Sequence, residues 1–265
     1  MCIRDRYKTQ KAVWNLPALY EKTTKVVSKN RRIGLGVTGV CQSLDKLDWL
    51  NDCYTELRRF DVEWSKQNNI PTSIKLTTVK PSGTLSLLAG ATPGVHPAYA
   101  KHYIRRVRMS STDSLITTCK DAGYYVESVI NYDGSIDHGT SIVSFPCVST
   151  VGTILARDMT AISQLDLVKK LQTVWSDNSV SVTVYYKVEE LDQIREWLKN
   201  NYENSLKTVS FLLHSEHGFK QAPYEEITEK EYNQLSQKIK PISSMISSEQ
   251  TLDGLECAGG VCPIR

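Results

Sequence analysis

Residues 73–90 read SIKLTTVKPSGTLSLLAG. The first seven, 73–79, are rich in β-branched residues and bounded by Pro71 and Pro81, which predicts a strand. Proline has no N–H for a β-ladder, so Pro81 marks the strand's end. Lys80-Pro-Ser-Gly-Thr-Leu-Ser86 then brings small hydroxyl residues and a glycine ahead of an apolar stretch, which predicts a loop entering a short helix. Backbone N–H groups at a helix start point outward, and the helix dipole favours negative charge there. Ser82, Thr84 and Ser86 can add hydroxyl donors, and Gly83 lets the backbone approach a phosphate. With Leu85 between them, residues 82–86 form a candidate phosphate site. The GKS/T ending of a P-loop is missing. On local sequence alone an ordinary capped helix start explains these residues equally well.

Outward from this stretch the chain alternates between the two periods. Apolar positions in 11–29 predict a helix with Pro17 in its first turn, and 43–68 predicts a helix or helix pair capped by Ser43. KHYIRRVRM, from Lys101, fits strand or helix. Helices are predicted at 112–124 and 161–175, strands at 141–147 and 179–186, and a short helix in LDQIREWLKNNY, from Leu191. Alternating strands and helices predict an α/β architecture. After about residue 240, PISSMISSEQTLDGLECAGGVCPIR loses periodicity and reads as a flexible tail. Residues 1–6, MCIRDR, do not match the sequence after them and resemble translated adapter sequence at the end of an incomplete gene. The expected division is a leader at 1–6, one body at 7–240 and a tail at 241–265.

Two motifs invite stronger readings than they carry. Gly34, Gly36 and Gly39 spell GxGxxG, but the segment before them, VVSKNRRI, is charged and unlike the buried strand that a dinucleotide site requires. Close backbone packing is the better reading of these glycines. His214 and His217 have HxxH spacing without a third ligand singled out nearby, so they read as polar loop histidines. His96, between Pro93 and Pro97, lines a pocket or fills a turn and is assigned no catalysis.

The 265 residues are 40% apolar and 23% charged, with a net charge of +3 spread along the chain. This gives no argument for nucleic-acid binding, and no run of 18 apolar residues suggests a membrane span. Seven cysteines, at 2, 41, 53, 119, 147, 257 and 262, are too sparse for a disulfide framework, so a reducing cytoplasm is expected. Cys41, Cys53, Cys119 and Cys147 are expected to be buried small hydrophobes. Cys257-Ala-Gly-Gly-Val-Cys262 is different. Two glycines let the loop bend so that the thiols can close a disulfide near the terminus, which suits thiol–disulfide exchange. Half of a zinc site and two unrelated thiols are the alternatives.

TVKPSGTLSLLAGATPGVHPAYAKHYIRRVRM, together with RRIGLGVTG, WSDNSVSVTVYY, GFKQAPYEEI and ECAGGVCPIR in the same order, resembles the adenosylcobalamin-dependent, class II ribonucleotide reductases. The likeness is strongest to their monomeric, triphosphate-using branch and covers residues 8–265. It implies the C-terminal part of a ten-stranded α/β barrel that reduces ribonucleotides by thiyl-radical chemistry. On that resemblance, Ser82, Gly83, Thr84, Leu85 and Ser86 hold the substrate phosphates. Cys257 and Cys262 form the redox shuttle that thioredoxin restores. The family's radical loop has the form Asn-Pro-Cys-x-Glu, and no such string occurs here, so this stretch alone is expected to be inactive. Most of the cobalamin site is likewise expected elsewhere in the enzyme. The diiron class I reductases, with a related barrel and cysteine tail, are the nearest alternative, and a zinc-binding module is another.

Overall fold

The computed structural model describes residues 3–83, 85–150, 152–214 and 221–242. In chain order the helices and strands begin α1 (Ile3–Trp14), α2 (Glu21–Asn30), β1 (Arg32–Gly36), α3 (Trp49–Gln67), β2 (Lys75–Thr78) and α4 (Leu85–Leu88). They continue β3 (His102–Ser110), α5 (Ser114–Asp121), β4 (Tyr125–Ile130), β5 (Ile136–Val148), α6 (Ala161–Val174) and β6 (Thr183–Tyr186). The described part ends α7 (Leu191–Ser205), β7 (Ser210–Leu213), β8 (Tyr224–Glu226) and α8 (Glu229–Ser236). The described residues form two compact units, one within 3–101 and 149–214, the other within 102–148 and 221–242. The single body expected over 7–240 is therefore divided.

The first unit is α/β. β1 pairs with β2 in parallel, Leu35 opposite Thr77, and β6 pairs with β7 in parallel, Val184 opposite Phe211. A parallel bridge from Val79 to Val180 joins the two pairs. The order is thus β1-β2-β6-β7, all parallel, with α3 between the first two strands in sequence and α7 between the last two. Parallel strands carry helices on their faces and bury their residues. Leu76, Val79, Leu165, Leu171 and Val184 are accordingly fully buried in one apolar cluster with Leu57 and Trp175.

The expected 11–29 helix is two helices. Asn15 to Tyr20 form the break, and Pro17 sits in it rather than in a first turn, because α1 has already ended at Trp14. α1 begins at Ile3, inside the segment read as a leader, and Ile3 packs against the core. Ser43 caps nothing with its side chain: two short 3₁₀ turns intervene before α3 starts at Trp49.

The second unit is an antiparallel sheet in the order β4-β5-β3-β8. β3 and β5 pair along nine positions, Tyr103 opposite Cys147 and Val107 opposite Val143. Pro146 lies in β5 past the point where β4 pairing stops at Ser144, so its missing N–H breaks no second ladder. α5 covers one face through Ile116 and Cys119, against Val143, Phe145 and Met109. Asp113 caps α5, its carboxylate accepting the Leu115 N–H at 2.9 Å. The alternation expected throughout gives no parallel pair here: β4 and β5 are joined by the short turn 131–135, and β3 pairs antiparallel with β5 and β8.

Candidate functional site

β2 is the buried strand that the sequence predicted, with Leu76, Thr77 and Val79 fully buried. The Trp175–Asn178 turn fixes it. The Trp175 indole donates to the Thr78 carbonyl at 3.1 Å, and the Asn178 amide donates to the carbonyls of Thr77 at 2.7 Å and Ile33 at 3.0 Å. Asp177 accepts the Leu76 N–H at 2.9 Å, the Arg58 guanidinium at 2.8 Å and the Tyr54 hydroxyl at 2.8 Å. WSDNS is therefore a clamp on β1 and β2, and the chain leaves β2 from a fixed base.

That continuation is the candidate phosphate loop. Ser82 has φ +49°, a left-handed conformation that a non-glycine residue adopts at a cost, as held loops at functional sites do. The Ser86 N–H donates to the Ser82 carbonyl at 3.1 Å, the first closed turn of α4, and the Ser86 hydroxyl donates to the same oxygen. Ser86 is buried, so the expectation that its amide opens toward a ligand does not hold: helix closure has used it. Leu85 is 73% exposed, Ser82 and Gly83 are half-buried, and Thr84 lies outside the described residues. The loop's base is tight. Gly94 has φ +54°, and a Cβ there would meet the Lys80 carbonyl oxygen at 2.1 Å.

The GxGxxG glycines are not a nucleotide turn. Gly34 and Gly36 lie inside β1 rather than beyond its end, and a Cβ on Gly34 would press on the Thr78 methyl at 3.1 Å. Close strand packing is the role of Gly34, as the sequence indicated, whereas a Cβ on Gly36 would meet nothing within 4 Å and Gly39 takes a left-handed φ of +73°.

His96 ties the segment after the loop to β6. Its Nε2 accepts the Thr183 N–H at 3.1 Å and its Nδ1 lies 3.1 Å from the Pro93 carbonyl. This fixes the neutral tautomer with the proton on Nδ1. Burial holds its pKa below the ordinary 6.5, against the raising effect of the Pro93 carbonyl. A protonated ring would turn Nε2–H onto the Thr183 N–H. Below pH 6.5 the unfolded chain binds the proton that the folded chain refuses, so stability falls as pH falls from 6.5 through the folded-state pKa. Urea unfolding of the parent between pH 7 and pH 5 is expected to show that decline, and His96→Gln to flatten it. Equal slopes would refute a buried neutral His96.

Of the cysteines described, Cys41 is buried with its pKa pushed up to about 12 by burial, and it donates to the Val95 carbonyl at 3.5 Å. Burial also raises Cys119 and Cys147. These thiols stay protonated at neutral pH and are poor nucleophiles. Cys53 is exposed on α3, which corrects the expectation that it is a buried hydrophobe: the apolar face of that helix turns Leu57 inward instead. Cys257, Cys262 and His217 lie outside the described residues. Among those described, no cluster of three or more His, Cys, Asp or Glu can hold a metal ion. Both ring nitrogens of His96 are engaged, so it offers no ligand to a cobalt centre, and no described residue is assigned to a cobalamin.

One buried network was not visible in the sequence. Lys11, fully buried on α1, donates to Asp61 at 3.0 Å, the Pro71 carbonyl at 2.8 Å and the Ser73 hydroxyl at 2.7 Å. Asp61 also accepts the Tyr7 hydroxyl at 2.5 Å and the Ser73 N–H at 2.9 Å. Burial alone would raise the Asp61 pKa, but the hydrogen bonds from Tyr7, Lys11 and Ser73 together hold it below the usual value. The network pins α1 and α3 to the turn that leads into β2.

The sequence profile of the family described as "Ribonucleotide reductase, barrel domain" matches residues 72–212, which include β2, the loop, α6 and β6. The chain belongs to this family. It is 40% identical over 230 residues to a probable adenosylcobalamin-dependent ribonucleoside-triphosphate reductase of Dictyostelium discoideum, covering 83% of this chain and 30% of that protein. It is 36% identical to the Euglena gracilis adenosylcobalamin-dependent ribonucleoside-triphosphate reductase, covering 93% and 34%. A crystal structure of a B12-dependent, class II ribonucleotide reductase superposes with TM-score 0.75 at 28% identity, over 91% of this chain and 38% of that one. The chain thus spans about a third of the length of these relatives. The expected fold class, part of a ribonucleotide reductase barrel, holds, and β1, β2, β6 and β7 are parallel strands within that fold. The class I alternative is not favoured.

Proposed function

We propose that this chain is the substrate-phosphate and electron-return portion of an adenosylcobalamin-dependent ribonucleoside-triphosphate reductase. The observation that supports it most is the loop after β2. It is held at its base by Gly94 against Lys80 and strained at Ser82, and it lies within the stretch matched by the reductase family. In this reading the backbone ahead of Ser86, with Ser82, Gly83, Thr84 and Leu85, receives the triphosphate, and Ser86 closes the helix behind it. Adenosylcobalamin, when bound, supplies the initiating radical. The net reaction replaces the ribose 2′ hydroxyl by hydrogen and releases water, while a dithiol becomes a disulfide. Cys257 and Cys262 return the two electrons, and thioredoxin reduces them in turn. The cytoplasm, where such reductants are available, and a monomeric enzyme belong to the same proposal. No helix among the described residues is long and apolar enough to cross a membrane.

Titration of the 15N-labelled chain with a ribonucleoside triphosphate tests the loop. Amide shifts are expected to concentrate at Gly83 and Leu85, and inorganic tripolyphosphate is expected to reproduce them. Shifts confined to Gly34–Gly39, or none at all, would overturn the phosphate assignment.

A further inference from the structure

Thr38 and Gln42 lie on the connection after β1, and they hold the segment that follows α4. The Thr38 hydroxyl donates to the Thr92 carbonyl at 2.7 Å and accepts the Gly94 N–H at 3.0 Å. The Gln42 side chain accepts the Thr92 N–H at 3.0 Å and donates to the Gly90 carbonyl at 3.0 Å and the Thr150 hydroxyl at 2.6 Å. The Gly39 N–H adds a bond to the Thr92 carbonyl at 2.9 Å. Backbone groups of Gly90, Thr92 and Gly94 are thus held by two side chains some fifty residues away.

The held segment in turn fixes the loop. Gly94 sits against the Lys80 carbonyl with no room for a methyl group, and the Ala91 N–H donates to the Ser86 carbonyl at 2.9 Å. Residues 80–83 and 85–86 therefore lie between a clamped strand, β2, and a braced segment, 90–94. Backbone donors bind an anion strongly when they are already aimed, because no ordering cost falls due on binding.

We propose that Thr38 and Gln42 are positioning residues for the polyphosphate group of the nucleotide. They touch no phosphate themselves. They hold the Gly90–Gly94 segment, and through it Lys80 and Ser86, the two ends of the loop. The inference rests on the reading of that loop as the phosphate site.

A brace that served folding alone would change stability and leave the affinity of the folded chain untouched. Positioning changes affinity at temperatures where every variant is folded. The experiment is calorimetric titration of the 265-residue chain with inorganic tripolyphosphate, with circular dichroism confirming the folded state. Thr38→Val and Gln42→Leu are each expected to weaken binding about tenfold, as the loss of one or two hydrogen bonds implies. Thr38→Ser, which keeps the hydroxyl, is expected to restore parental affinity. If either apolar variant fails to fold, Gln42→Asn decides. It keeps a neutral amide but is one methylene too short to reach Thr92 and Gly90 together, so weaker binding supports the inference and unchanged binding overturns it. Equal affinity in the parent and all folded variants overturns the inference alone. No binding by the parent overturns the phosphate reading and this inference with it.

Discussion

Replacing Lys11 by methionine is expected to lower the unfolding free energy by about 3–5 kcal/mol, read from urea denaturation of the chain. The stem of methionine fills much of the lysine's space, so little of the loss comes from packing. It comes from Asp61, which is buried to 1% exposure and would keep its charge without its counter-ion. The Ser73 hydroxyl and the Pro71 carbonyl would lose their donor as well. The Tyr7 hydroxyl and Ser73 N–H would still bond Asp61, which limits the loss without cancelling it. The double variant Lys11→Met with Asp61→Leu removes the uncompensated charge but strips the Tyr7 hydroxyl and the Ser73 N–H of their acceptor, so only part of the stability is expected to return. A single-variant loss below about 1 kcal/mol would show that water reaches Asp61, which the geometry excludes. Because the network anchors the turn at Pro71–Ser73, the damage is expected to extend into β2 and loosen the loop beyond it.

What the sequence showed and what it hid depend on the range of the interactions. β2, α4, α6 and α7 were legible because their signals are local: a β-branched run between prolines, a hydroxyl-rich helix start, an apolar period. The Lys11–Asp61 pair was not. Its partners are fifty residues apart, and each looks like an ordinary surface charge on an amphipathic helix. Nothing short of tertiary structure brings them together. Gln42 and Thr38 were hidden for the same reason, although they lie beside the glycines that drew notice. The wedge that Gly94 makes under Lys80 was also hidden, because it depends on the return of the chain. β1, β4, β7 and β8 went unpredicted, and the run of strands from His102 to Val148 gave no sign that it would form an antiparallel unit of its own. The resemblance supplied the family from motif order, which no local period contains.

The proposed electron-return role predicts that, in the full-length reductase, Cys257→Ser or Cys262→Ser abolishes turnover with thioredoxin and spares much of the turnover with a small dithiol. The composition of the segment and the stoichiometry of the reaction give the reason. Each turnover oxidises one dithiol, and a large protein reductant cannot enter a barrel interior to regenerate it, whereas a small dithiol can. A relay that accepts electrons at the surface and delivers them inside must present two thiols able to close a disulfide. Cys257 and Cys262, separated by Ala-Gly-Gly-Val, have that composition, and the segment before them is rich in serine and lacks helical period. Exchange proceeds by thiolate attack through a mixed disulfide, so removing either sulfur stops the relay. The contrast with Cys41 is chemical: burial pushes its thiol up to about 12, which leaves almost no thiolate at neutral pH. Cys41→Ser is therefore expected to leave the ratio of the two activities unchanged. Equal loss with both reductants in the Cys257 and Cys262 variants would place those thiols in the ribose chemistry or the fold, and no loss with either would show that the pair carries no electrons.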